Sequence, residues 1–310
     1  FKLQLTSLCI DAGIDLNLCT ADGNEPSSWT PAPTISMPAG AASVGARFRY
    51  DDVGLVQLYL QTMDATIGTA LPFVSVPYEI RLMSKVGTVE TAFATSTLDQ
   101  STLMFARAGD MFGMTAASYT AQGTVTPNFG AEGSAEFDLP AIERGAAAGS
   151  GAFTAMTELP ALQGNFGAIV AGKAAGTQFH WDEVGVIKLT PKLKLETYLT
   201  IPVTTVPAYI GRFIPDHFVT SATRMDCVPN MKCDTDVTIA AYSKEPMTTV
   251  KVAARAAGGT ATKNYQGVYA RKVQLAAFGN PKVAYTPLTG LSDGTVEAAT
   301  FKDGIADAKP

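Results

Sequence analysis

The chain is short of charge. Of its 310 residues, 16% are Asp, Glu, Lys or Arg, against about 25% in an average globular protein. The net charge is −5 and the pI about 5.1. A nucleic-acid binder needs a Lys/Arg-rich face for phosphate contacts, so this balance argues against that class. Two His and four Cys leave little material for metal or nucleophile chemistry. Long apolar runs are missing too. The best stretch, Phe166 to Ala175, is Gly/Ala-rich and broken by Lys173, well short of the roughly 18 residues of a spanning helix. The start, Phe1-Lys2-Leu3-Gln4-Leu5, has no Met and no charged n-region before an apolar stretch, so a mature or excised segment is expected. Also absent are a Gly-x-Ser-x-Gly elbow, a His-Glu-x-x-His pair, an Asp-x-Asp-x-Asp-Gly loop and an Asn-x-Ser/Thr acceptor.

What is present is β-forming. Apolar residues make up 46% of the chain, which argues against disorder. They fall in short runs rich in Val, Ile, Thr, Phe and Tyr, punctuated by 28 Gly and 18 Pro, the pattern of an all-β protein. The cysteines form two local pairs, Cys9 with Cys19 and Cys227 with Cys233, each spanning a turn-rich stretch. Close pairs of even count read as two loop-clipping disulfides and hence an oxidising compartment. Four buried thiols in a reducing cytosol are the alternative. Zinc fits less well, because neither pair has a Cys-x2-Cys knuckle or a nearby His.

Self-comparison gives the strongest signal. Phe48-Arg49-Tyr50-Asp51-Asp52-Val53-Gly54-Leu55-Val56-Gln57-Leu58 matches Phe179-His180-Trp181-Asp182-Glu183-Val184-Gly185-Val186-Ile187-Lys188-Leu189, 131 positions on. Alternation on both sides of the acidic-Gly centre predicts strand, tight corner, strand. An acid would cap the turn, with Gly at positive φ. A second element repeats at 136 positions: Gly123 to Gly130, containing Asn128, parallels Gly259 to Gly267, containing Asn264. Each reads as a turn after an edge strand, with Asn and Gly supplying the unusual backbone angles.

Two elements with nearly the same offset imply a tandem unit of about 130 residues, too long for a solenoid repeat. The expected organisation is the end of one unit (1–76), one complete unit (77–207) and the start of a third (208–310), a fragment of a longer polypeptide. Pro-punctuated stretches, Leu71 to Tyr78 and Ile201 to Tyr209, mark stiff junctions. The fold expected is all-β, tandem immunoglobulin-like β-sandwiches arranged as a rod.

The ordered strings Phe179 to Gly185, Gly211-Arg212-Phe213-Ile214-Pro215-Asp216-His217-Phe218 and Asn264-Tyr265-Gln266-Gly267 carry a family likeness. Most of residues 40–280 resembles the large C-terminal domain of unknown function of MshQ-like proteins, which accompany the mannose-sensitive haemagglutinin type IV pilus of Gram-negative bacteria. The resemblance implies export, a surface or pilus-associated location, and a role in pilus assembly or adhesion. It implies no catalytic residues.

The remaining motifs are weak. Gly167 to Lys173 satisfies Gly-x4-Gly-Lys, but Ala174 replaces the hydroxyl that would hold Mg²⁺. Asp216-His217 has the composition of a base with its orienter, yet strand neighbours point to opposite faces. His180 has the outward phase of its strand. Asp51-Asp52 and Asp182-Glu183 sit at corners, not across a glycosidase cleft. No cofactor is expected beyond a calcium ion at a junction. The function expected is a non-enzymatic structural segment that spaces, displays or assembles surface proteins, with other pilus or surface proteins or copies of itself as partners. A glycan-binding adhesin module and a self-assembling filament subunit are the alternatives.

Overall fold

The computed structural model describes residues 2–9, 29–30, 34–36, 38–45, 47, 49–61, 66–69, 71, 73–95, 104–131, 135–144, 158–223, 249–275 and 295–308. The first part contains β1 (Lys2–Cys9), β2 (Trp29–Thr30), β3 (Thr34–Ser36), β4 (Arg49–Tyr50), β5 (Gly54–Gln61), β6 (Thr66–Thr69) and β7 (Phe73–Ser75). The middle contains β8 (Glu79–Val86), β9 (Val89–Ala92), β10 (Ala106–Arg107), β11 (Phe112–Tyr119), β12 (Phe137–Arg144), β13 (Lys173–Phe179), β14 (Gly185–Leu193), β15 (Thr197–Tyr198), β16 (Ile201–Pro202) and β17 (Ala208–Ile214). The last part contains β18 (His217–Thr223), β19 (Thr249–Arg255), β20 (Val273–Gln274), β21 (Thr295–Val296) and β22 (Ile305–Ala308). Among the described residues there is no α-helix, only two single 3₁₀ turns at Gly267–Tyr269 and Ala298–Thr300. The all-β expectation holds.

Two four-stranded sheets, β13-β11-β8-β9 and β10-β17-β14-β12, form the middle sandwich. Strand β14 alternates buried and half-buried positions from Ile187 onward, the pattern of a strand with one face against a core. Ile187, Leu189, Ile210 and Phe213 from one sheet meet Leu82, Met114, Ala116 and Phe179 from the other. An aromatic chain runs through this core. Trp181 packs edge-on against Phe213 at 5.2 Å, and Phe213 against Phe105 at 5.4 Å, the T-shaped geometry that ring quadrupoles favour.

Two further sheets, separate in their strand pairing, precede and follow the middle sandwich along the chain. The first has the order β3-β1-β5-β6, with β7 also paired to β5. The last has the order β18-β19-β22. Strand β17, which the sequence reading placed at the start of the third unit, pairs with β14 from Ala208↔Leu189 to Phe213↔Gly185. The strand pairing therefore groups it with the middle sandwich, and the chain turns into the last sheet at Pro215-Asp216. The corresponding turn before β8 carries Pro77.

The loop that follows β11 reappears after β19 with the same hydrogen bonds. Thr120 N–H donates to Thr124 O at 2.8 Å, and Ala256 N–H to Thr260 O at 2.9 Å. Thr126 N–H donates to Ser118 O at 3.1 Å, and Thr262 N–H to Ala254 O at 3.1 Å. Both loops are braced from behind by a turn ahead of the next strand, where Ser118 N–H bonds Gly172 O and Ala254 N–H bonds Gly304 O. Neither β11 nor β19 is an edge strand, since each lies between two partners. The expectation of an edge strand there is corrected: each strand is paired along both edges, and the loop is exposed at its tip, 121–124 and 257–260, but buried at Thr126, Asn128, Thr262 and Asn264.

Candidate functional site

The two repeated corners, at Asp51 to Gly54 and Asp182 to Gly185, are built alike. In each, Gly begins the outgoing strand at positive φ, +133° at Gly54 and +124° at Gly185, a conformation that disfavours any Cβ. The residue before it, Val53 or Val184, is fully buried. The acid before that is buried too, Asp52 at 5% exposure and Glu183 at 2%. A buried carboxylate must find hydrogen-bond donors, and both find main-chain amides.

Asp52 Oδ1 accepts Val53 N–H at 2.8 Å and, across 76 positions, Asn128 N–H at 3.2 Å. Glu183 Oε1 accepts Val184 N–H at 2.8 Å and Asn264 N–H at 3.1 Å. Each carboxylate thus ties its corner to the Asn loop of the sheet that follows in the chain. The difference between the clamps has a chemical reason. Glu183 Oε2 accepts a third amide, Lys263 N–H, at 2.8 Å. The position equivalent to Lys263 is Pro127, which has no N–H to give.

Beside each clamp an aromatic follows the Asn. Phe129 packs with Val53, Ile80, Leu193 and Tyr198 in a small core, stacked on Tyr198 at 5.2 Å. Tyr265 joins the large core that contains Val184 and Phe301. Of the expected sources of the loop geometry, the Gly residues at 123, 130, 259 and 267 take positive φ and the Asn residues do not. Asn264 is fully buried, and its amide completes a main-chain-like pair. Glu158 N–H donates to its Oδ1 at 3.0 Å, and its Nδ2 donates to Glu158 O at 2.7 Å. Burial pushes the Glu183 carboxyl up to about 7, against the downward pull of the Val184, Asn264 and Lys263 amides.

The other residues singled out by sequence serve around this joint. Trp181 is wholly buried and donates its indole N–H to Pro160 O at 2.9 Å. Phe179 and Phe213 are buried with it. Tyr50 is half-buried opposite Trp29, and Asp51 pairs with Arg49. Asp182 and Arg212 are half-buried; burial and then the Arg271 charge lower the Arg212 guanidinium pKa. Asp216 and His217 do converge, His217 Nδ1 lying 2.8 Å from Asp216 Oδ2, because Asp216 occupies the turn before β18 and not a strand. Arg107 reaches the same carboxylate at 3.3 Å. The imidazole, then the guanidinium, hold Asp216 below the usual carboxylate range. His180 is half-buried, with no partner for Nδ1, which corrects the solvated placement. The Gly167 to Lys173 stretch leads into β13, not a helix, and Lys173 Nζ bonds Glu90 at 2.6 Å. Phe48, Cys19, Cys227 and Cys233 lie outside the described residues, as does the side chain of Cys9.

The acids at the corner were read as a turn cap and as acidic pairs, not as a link from Asp52 and Glu183 to a distant loop. The signal available was an acid at the same place in both copies, immediately before a Val-Gly.

Residues 183–309 match the family described as DUF6701, third domain. The matched stretch begins at the clamp carboxylate and includes its partner loop. No curated protein and no solved structure matches the chain. No helix among the described residues is long and apolar enough to cross a membrane.

Proposed function

We propose that this chain is a non-enzymatic structural segment of an exported bacterial surface or pilus-associated protein, in which β-sandwich units follow one another and are locked at each junction by a buried carboxylate. The observation that carries the reading is the recurrence of the clamp. Two corners 131 positions apart bond two Asn loops 136 positions apart through the same main-chain groups. A joint made of buried hydrogen bonds and an inserted Val resists bending, which suits a spacer or assembly element better than a mobile linker. The match to a family described as a third domain and the MshQ-like strings at Phe179 to Gly185 and Gly211 to Phe218 support an array on an exported protein. Its partners in this reading are other surface or pilus proteins.

Small-angle scattering tests the rod. An elongated particle whose length is unchanged by dilution and salt is the expected result, with Glu183→Ala broadening the distance distribution. A compact, near-spherical particle overturns the reading.

A further inference from the structure

Glu183 places a carboxyl group where a charge has no support. It is 2% exposed, and its hydrogen-bond partners are main-chain amides. Among the described residues no ammonium, guanidinium or imidazole pairs with it. Lys263, on the partner loop, turns its ammonium away to Glu158 Oε1 at 2.8 Å. Glu158 adds a second negative charge, which acts on Glu183 in the same direction as burial. Asp182 adjoins it on the corner, and Asp303, on the turn behind the loop, lies near Lys263. The arginine that reaches across the same joint, Arg107, is engaged by Asp216.

An ionised carboxylate buried without a cation is costly, and such a group takes up a proton instead. The geometry leaves a place for one. Oε1 accepts the Val184 and Asn264 amides, whereas Oε2 accepts only that of Lys263, so Oε2 has the spare lone pair. A proton there neutralises the group without displacing any of the three amides. Those amides belong to both sides of the joint. Val184 lies on the corner of the middle sandwich, and Lys263 and Asn264 lie on the loop after β19.

We propose that this joint is a proton-operated fastening, tightest when the Glu183 carboxyl is neutral and loosened as the group ionises, so that the chain stiffens in acidic surroundings. The inference rests on the reading of this contact as a joint between successive units, and names its regulation. Opening the joint returns the carboxyl to water, where its ordinary value is 4.5, while burial in the closed joint raises it to about 7. The closed joint therefore binds the proton more tightly. Its advantage is complete at acid pH and is lost as pH rises through about 7. A difference of this size changes the opening equilibrium roughly 300-fold in all, of which about 70-fold falls between about pH 5 and pH 8.

Residue-resolved hydrogen exchange of the whole chain, corrected for the intrinsic pH dependence of amide exchange, tests it, because the bonded amides are themselves the reporters. Protection of Val184, Lys263 and Asn264 is expected to fall roughly 70-fold from about pH 5 to pH 8. At about pH 8 these amides are expected to exchange faster than those of Ile187 and Leu189 in β14, which marks opening of the joint and not unfolding of the sandwich. Glu183→Gln, neutral at every pH, is expected to abolish the fall at Val184 and Asn264. His217→Gln is expected to keep it, although the exposed His217–Asp216 contact is also an ion pair only when the ring is protonated. Should Glu183→Gln fold poorly by circular dichroism, the wild-type Glu183 carboxyl carbon is followed by NMR instead, and is expected to titrate in step with the amides. Flat protection in wild type overturns the proposal. So does a fall that persists in Glu183→Gln or vanishes in His217→Gln, a Glu183 carboxyl that titrates in the ordinary acid range, or clamp amides that exchange no faster than those of β14. A compact particle in scattering removes the tandem reading and leaves this titration standing; a flat titration in an elongated particle removes only the proton-operated joint.

Discussion

Glu183 is the place to break the joint. Its carboxylate satisfies three buried amides, those of Val184, Asn264 and Lys263. Glu183→Ala strips all three at once. A buried donor without a partner costs about 1–3 kcal/mol, so three give a loss of about 3–9 kcal/mol, a large share of the roughly 5–15 kcal/mol that hold a domain folded. Glu183→Gln is milder. Its oxygen still receives Val184 and Asn264, but its NH2 group confronts Lys263 N–H, donor against donor, for about 1–3 kcal/mol. The two variants also differ from wild type in their response to pH. Burial raises the folded-state value from 4.5 to about 7, so the folded chain holds this proton more tightly than the unfolded chain does. Stability from this group is complete below the unfolded value and declines as pH rises through about 7, by on the order of 3 kcal/mol. Glu90, lowered chiefly by its bond to Lys173, works in the opposite sense at more acid pH, and its effect is common to all variants. Urea melts followed by circular dichroism between about pH 5 and pH 8 read both effects. The reasoning is refuted if Glu183→Gln keeps the wild-type slope, or if Glu183→Ala unfolds at the wild-type urea concentration.

Trp181→Ala removes a fully buried indole and orphans the Pro160 carbonyl; a loss of about 3–5 kcal/mol in the same melts is expected, with Trp181→Phe recovering more than half of it. Ser118 and Thr126 share a buried hydroxyl–hydroxyl bond, whereas the equivalent Thr262 hydroxyl faces Ala254 and has no partner. Thr126→Val is therefore expected to lower the melting temperature and Thr262→Val to leave it equal or higher; equal losses at both would count against the equivalence. Gly304 has φ +76°, and a Cβ there would run into the Thr262 carbonyl, so Gly304→Ala is expected to cost about 2–4 kcal/mol by differential scanning fluorimetry.

Much of this architecture was legible in the residues. The Phe179 to Leu189 string announced a strand, a corner with Gly at positive φ, and a second strand, because alternation and Gly are local signals. The matching offset of the Asn loops placed the second repeated element. What the string did not reveal was which side chain did the joining. Asp51 and Asp52 look alike in one dimension, and only the folded chain shows Asp52 buried beside a half-buried Asp51. The burial of β11 and β19 between partners was invisible for a similar reason, since edge and interior positions depend on pairing across more than 50 residues. Asp216 and His217 were kept apart by assuming strand geometry where the chain turns.

The clamp recognises peptide N–H groups and not side chains. Such a coupling tolerates different side chains on the loop: Pro127 and Lys263 occupy the same place, one neutral and rigid, the other charged and reaching Glu158. The side chains displayed at each joint are thereby free to differ, while the loop residue beside the Asn, Pro127 or Lys263, decides whether a further peptide N–H reaches the carboxylate.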